Sequence, residues 1–238
     1  MSLKGLINKI IYPHHYNNEA YVRYLRRGGA KIGDGTFFYG PKEHPVDETS
    51  LQYLEIGKNC RITSGVMILA HDYSYAVLRP IYHCMLCKCG VTKIGDNVFI
   101  GMHSIVTMGV TIGDNVIIGA GSIVTKNVPS NVVVAGNPAR IICTLEEYYK
   151  KNMDRFSEYA KTMYNRQKEI LGRDLDESEM GWYIALWDSN IRKEVISKLR
   201  VDGDDSDEVY NDVIIIHQYI LRLMNSKLRL YRRTIKNR

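Results

Sequence analysis

The 238-residue chain has no long uninterrupted apolar run. Its first dozen residues, Met1 to Tyr12, carry scattered apolar side chains with lysine and asparagine between them. A signal peptide or spanning helix needs a continuous apolar stretch, so neither is expected. Cysteine is scarce and odd in number: Cys60, Cys84, Cys87, Cys89 and Cys143. With no export signal beside them, a reduced, cytoplasmic setting is the expectation. Excess charge is small too. The 32 Lys+Arg against 26 Asp+Glu leave a formal net charge of +6, too mild for a nucleic-acid-binding tail to dominate. What remains, 45% hydrophobic and 24% charged, is an ordinary globular composition with enough apolar residues for a sizeable core.

Against these absences stands one strong regularity. Ile94, Ile100, Val106, Ile112, Ile118 and Val124 recur every six residues, with glycine following at 95, 101, 113 and 119. Ile56, Ile62 and Ile68 keep the same interval, and Ile32-Gly33 is an outlying member. Six fits neither a 3.6-residue helix nor a two-residue strand alternation, so the chain is expected to wind as a solenoid. Each hexad would be a short extended segment with one aliphatic residue inward, and three would close a coil of 18, here 94–111 and 112–129. Stiff Ile and Val stack well from coil to coil. The Asn residues of Lys58-Asn59, Asp96-Asn97 and Asp114-Asn115 belong at corners, where asparagine tolerates left-handed angles.

Between Ile68 and Ile94 the interval is 26, two more than a multiple of six, which predicts a projecting loop over about 72–92. A second irregular stretch runs from Gly40 to Leu54. Ahead of the repeats, Asn17 to Arg27 reads as a short helix with an Asn cap and a Gly28-Gly29 stop. Behind them, helical periodicity runs from Leu145 to about Leu171, with Tyr148, Phe156, Tyr159, Met163 and Ile170 on its apolar side. Further helices are expected over about 174–187 and 208–234. The charge is uneven: residues 1–143 carry 14 basic and 9 acidic groups, 144–238 carry 18 and 17, and 222–238 is a purely basic end. That end is expected to meet an anionic acceptor or to give peripheral membrane association.

The run from Ile94 to Lys126, continuing through Val134-Ala-Gly-Asn-Pro-Ala-Arg-Ile141, resembles the bacterial hexapeptide-repeat acyltransferases. The resemblance covers about residues 17–150 and is closest to the O-acetyltransferases that modify sugars of capsules, O-antigens and related glycans, similar to the galactoside, maltose and xenobiotic acetyltransferases. It implies an all-β left-handed parallel β-helix, working as a homotrimer with acetyl-CoA between adjacent prisms. The chain then divides into an N-terminal helical segment 1–31, the β-helix acyltransferase domain 32–143 and an α-helical extension 144–238.

Transfer of acetyl from a thioester to a sugar hydroxyl needs a base for the hydroxyl proton, a role suited to neutral imidazole near pH 7. The resemblance places His71, at the root of the loop, as that base. His103, at a coil corner, and Asp72 are supporting positions, although adjacent side chains on an extended strand point to opposite faces and Asp72 is the weaker. For the cofactor the resemblance implies Met102 and Ala120 along the pantetheine track, and Thr125, Lys126 and Arg140 near the nucleotide end, where phosphates call for cations. Transfer is direct in this family, which leaves the cysteines no catalytic part. Cys84, Cys87 and Cys89 with His83 lack a second spaced pair to close a zinc site, so no metal is expected. A metal-dependent carbonic-anhydrase-like trimer is the rival on the same architecture, but its closely spaced His pair is missing. A non-catalytic, sugar-binding scaffold is another, since fold does not fix function. An N-acetyltransferase acting on an amino sugar is the nearest enzymatic competitor; such enzymes often carry a nucleotide-binding domain ahead of the prism. Aromatic residues of the loop, Tyr73, Tyr75 and Tyr82, could stack on an acceptor sugar.

Overall fold

The computed structural model describes residues 10–174. It divides into two compact units, Met1–Tyr148 and Tyr149–Arg238. In the first unit, strands of two to five residues stack in parallel into three faces. The first face holds Lys31–Ile32, Leu54–Ile56, Thr92–Ile94 and Thr111–Ile112. The second holds Phe37–Phe38, Arg61–Ile62, Phe99–Ile100, Ile117–Ile118 and Val132–Ala135, with Arg140–Thr144 added antiparallel at the end. Met67–Ile68, Ile105–Val106 and Ile123–Val124 make the third. Register follows the predicted beat, since Ile94 pairs with Ile112, Ile100 with Ile118 and Val106 with Val124.

All nine residues of the two six-residue series are buried, and Ile62, Ile68, Ile100, Val106 and Ile118 show no exposure at all. Each Ile so buried contributes about 1.5–3 kcal/mol. The expectation of one inward residue per hexad was too low. Val98, Val110 and Val116 are buried as well, as are Cys60, Ser104 and Ser122, each two residues before a series member. A corner between two faces leaves room for a small or β-branched side chain, and polar ones there bond to backbone: Ser104 Oγ donates to the Gly119 carbonyl at 3.0 Å.

The corner between the first and second faces is an asparagine column. Asn59, Asn97, Asn115 and Asn131 all have φ between 54° and 63°, as expected for the first three. Asn97 Nδ2 donates to Asn115 Oδ1 at 2.9 Å, and Asn115 Nδ2 to Asn131 Oδ1 at 3.0 Å. Gly57 stands two residues before Asn59 because the coils approach there: a Cβ would lie 2.6 Å from the Gly95 carbonyl.

The irregular stretch 40–54 has two short 3-10 helices, Pro41–Glu43 and Leu51–Tyr53, and Val46 bridges to Ile68 as the third-face member of the first coil. The projecting loop returns on itself, pairing His71 with Cys89 and Asp72 with Lys88 antiparallel, with a helix Tyr75–Tyr82 beyond that has no buried residue. The N-terminal helix spans Asn18–Arg27, with Asn17 Oδ1 accepting from Ala20 N at 2.9 Å and Gly28 as its C-terminal cap. Helix Leu145–Leu171 begins with a capping box, Thr144 and Glu147 bonding to each other's backbone N–H. Its expected apolar residues Tyr148, Tyr159, Met163 and Ile170 are exposed in this chain. The helices expected over 174–187 and 208–234, and the basic end 222–238, lie outside the described residues.

Candidate active site

Where the chain leaves the third face it makes two excursions, one coil apart. The first starts at Asp47 and the second at His71. Stacking sets them together: Asp47 N donates to the Ile68 carbonyl at 2.8 Å, and Ala70 N donates to Asp47 Oδ2 at 3.4 Å. His71 Nδ1 meets Asp47 Oδ2 in a direct hydrogen bond. Thr49 Oγ1 donates to the other carboxylate oxygen at 2.6 Å and lies 3.4 Å from His71 Nδ1. The Asp47 side chain is 5% exposed and that of His71 35%. Burial acts to raise the Asp47 carboxyl pKa; the bonds from Thr49 and His71 outweigh it and hold the group below the ordinary carboxylate range.

An ionised Asp47 accepts the Nδ1 proton, which leaves Nε2 of His71 with a free lone pair. This is the arrangement of an oriented general base. Asp72 does not share in it. Its carboxylate accepts from Ser74 N at 2.7 Å and Ser74 Oγ at 3.1 Å and faces Lys88, so it shapes the loop turn, consistent with alternation along an extended strand. Sequence reading missed Asp47 and Thr49, because the interval that carries Ile32 onto Ile56 does not persist here: Val46 stacks on Ile68, and no constant spacing points from His71 to Asp47.

His103 is on another edge, between the second and third faces, at φ 58°. Its exposed imidazole lies over Gly65, where a Cβ would overlap the ring. No carboxylate bonds to it among the described residues. Met102 and Ala120 are exposed on that same edge, and Gly121 N donates to the Met102 carbonyl at 2.8 Å. Thr125 and Lys126 follow Val124 on the His71 edge, and Arg140 stands opposite Ala135. The single prism therefore unites His71 with Asp47 and Thr49, and Met102 with Ala120 and His103, but holds the two groups on different edges of one face. Cys84, Cys87 and Cys89 are exposed free thiols on the projecting loop, an arm of the prism, and Cys60 is in the core. Among the described residues no helix is long and apolar enough to cross a membrane.

The family described as hexapeptide repeat of succinyl-transferase matches residues 91–126. Protein CapG of Staphylococcus aureus is 38% identical over 151 residues, covering 62% of this chain and 84% of that protein. The chain belongs to the bacterial hexapeptide-repeat acetyltransferases. Galactoside O-acetyltransferase of Escherichia coli is 56% identical over a shorter 63 residues, 25% of this chain and 31% of that enzyme. Among solved structures, a maltose O-acetyltransferase from Clostridium difficile 630 is 29% identical, covering 53% of this chain and 75% of that one with a TM-score of 0.37. As a hexapeptide-repeat acetyltransferase the protein is an acyltransferase.

Proposed function

We propose that the protein moves an acetyl group from acetyl-CoA to a hydroxyl of a capsular polysaccharide, O-antigen or related glycan, with His71 as general base. One observation carries the reading: His71 Nδ1 is bonded to a nearly buried Asp47 while the His71 side chain itself is partly exposed, so Nε2 is the nitrogen left for an acceptor. In the reaction Nε2 takes the acceptor hydroxyl proton as the oxygen attacks the thioester carbonyl. Collapse of the tetrahedral adduct breaks the C–S bond, and the proton passes to the departing CoA thiolate, giving the acetyl ester and free CoA. Asp47 supports the imidazolium formed midway.

The prism is read as left-handed and as one third of a cytoplasmic homotrimer. Closed threefold symmetry would set the His71 edge of one copy against the Met102–Ala120 edge of the next, so that acetyl-CoA lies between them. Met102 and Ala120 then offer backbone to the pantetheine amides, and Thr125, Lys126 and Arg140 serve the nucleotide end. His103 orients substrate or cofactor.

His71→Ala is expected to lower acetyl transfer by about 10²–10⁴ while CoA binding persists. Near-normal turnover would refute the reading, and a larger loss in His103→Ala would exchange the two roles. A panel of sugar acceptors, followed by thiol release from acetyl-CoA, identifies the substrate.

A further inference from the structure

Beside the candidate active site, three side chains converge that the proposed chemistry does not use. His15 Nε2 and His44 Nδ1 each lie 2.9 Å from the same oxygen, Glu48 Oε1. Offering one ligand atom each, the three groups have those atoms all within 4.8 Å of one another. Among the described residues this is the one such trio with metal-binding spacing. A tetrahedral zinc ion with bonds of about 2.1 Å to nitrogen and oxygen sets its ligands about 3.4 Å apart, so small movements would admit it.

The surroundings hold the trio in place. Glu48 is 17% exposed and His15 12%. Buried Tyr21 donates its hydroxyl to Glu48 Oε1 at 3.1 Å, the kind of outer contact that orients a ligating carboxylate. The His15 ring packs 5.0 Å from Tyr21 and 4.6 Å from His44. His44 has φ 51°, ψ 63°. A non-glycine residue in the left-handed region carries about 1–2 kcal/mol of strain, and the conformation aims this imidazole at Glu48.

We infer that His15, His44 and Glu48 form a binding site for a zinc-class divalent cation. Two imidazole nitrogens and one carboxylate oxygen suit zinc, with a fourth position for water, whereas magnesium and calcium favour all-oxygen shells. The ion would join the segment ahead of the N-terminal helix to residues 44–48. Since Glu48 follows Asp47, it would also fix the segment that holds His71. This site departs from the sequence-based expectation of no metal, which weighed the cysteine cluster and the spacing of histidines and not the meeting of His15, His44 and Glu48 in the fold.

The test uses the full chain, stripped with a chelator, in a Cys84→Ser, Cys87→Ser, Cys89→Ser background so that arm thiols do not compete. Zn²⁺ alone is titrated calorimetrically, and Co²⁺ is followed by its visible absorption in a four-coordinate site. His44→Gly removes an exposed imidazole at a position where glycine adopts the backbone freely, and Glu48→Gln keeps the side-chain shape. One cation per chain is expected, with affinity reduced at least about tenfold and the Co²⁺ band lost in each variant. No stoichiometric binding, or binding that both variants leave intact, overturns the site and reduces the trio to a hydrogen-bond network. Binding found only when the three cysteines are restored places the metal on the arm and overturns it equally.

Discussion

Asp47→Asn keeps the size of the side chain and removes the charge on which the proposed base depends. The imidazolium that forms as His71 accepts a proton would stand in contact with the Asp47 carboxylate. Unit charges about 4 Å apart attract by about 4 kcal/mol at an effective dielectric near 20. His71 is 35% exposed, so water screens part of this and about 2–4 kcal/mol remains. The neutral amide forfeits that amount in the transition state, which predicts a fall in kcat of about 30- to 1000-fold. Acceptor KM should change little, because Asp47 acts through His71. The assay is initial-rate thiol release with the acceptor found by screening, alongside ¹⁵N spectra of the imidazole that report which nitrogen carries the proton. Wild-type spectra should show Nδ1–H, and the variant should lose that tautomer. If kcat stays within about threefold and the tautomer is unchanged, the dyad has no part in the rate. Asp72→Asn, whose carboxylate serves its own turn, should cost only a few-fold.

Gly65→Ala should destabilise the prism by at least about 1–2 kcal/mol, because residue 65 has φ 72° and a new Cβ would displace the His103 ring; urea unfolding measures the loss. Ile118→Ala, at a fully buried position on the second face, should lose about 2–5 kcal/mol in the same experiment. Asn97→Gly retains the backbone conformation and loses only the side-chain ladder, so it should be milder by about 1 kcal/mol or more than Asn97→Ala, which also strains a left-handed corner.

The prism was legible because its information is local and repeated. Ile94 through Val124 show one inward position per hexad at a constant interval, and Asn97 and Asn115 mark corners because asparagine tolerates left-handed backbone angles. The Asn17 cap and the Gly28 stop are local signals of the same sort. Even so, the second buried layer was not read: Val98, Val110 and Val116 keep the six-residue interval, but at Ser104 and Ser122 it is interrupted by small polar residues that carry no hydrophobic signal until a corner encloses them.

The partner of His71 belonged to the tertiary structure. Residues 40–54 break the beat, and no local rule says how many residues an irregular excursion consumes before the chain rejoins its face. Only the bridge from Val46 to Ile68 sets that register, and with it Asp47 comes beneath His71 rather than the adjacent Asp72. The same holds for His15, His44 and Glu48, which meet because helix Asn18–Arg27 packs Tyr21 and Leu25 into the core beside the first coil. The amino-acid sequence by itself determined the coil and set the His71 imidazole where the repeat breaks at its edge. Which carboxylate holds that imidazole was decided by the stacking of one coil on another, because hydrogen bonds between coils are long-range contacts that periodicity does not encode across a gap.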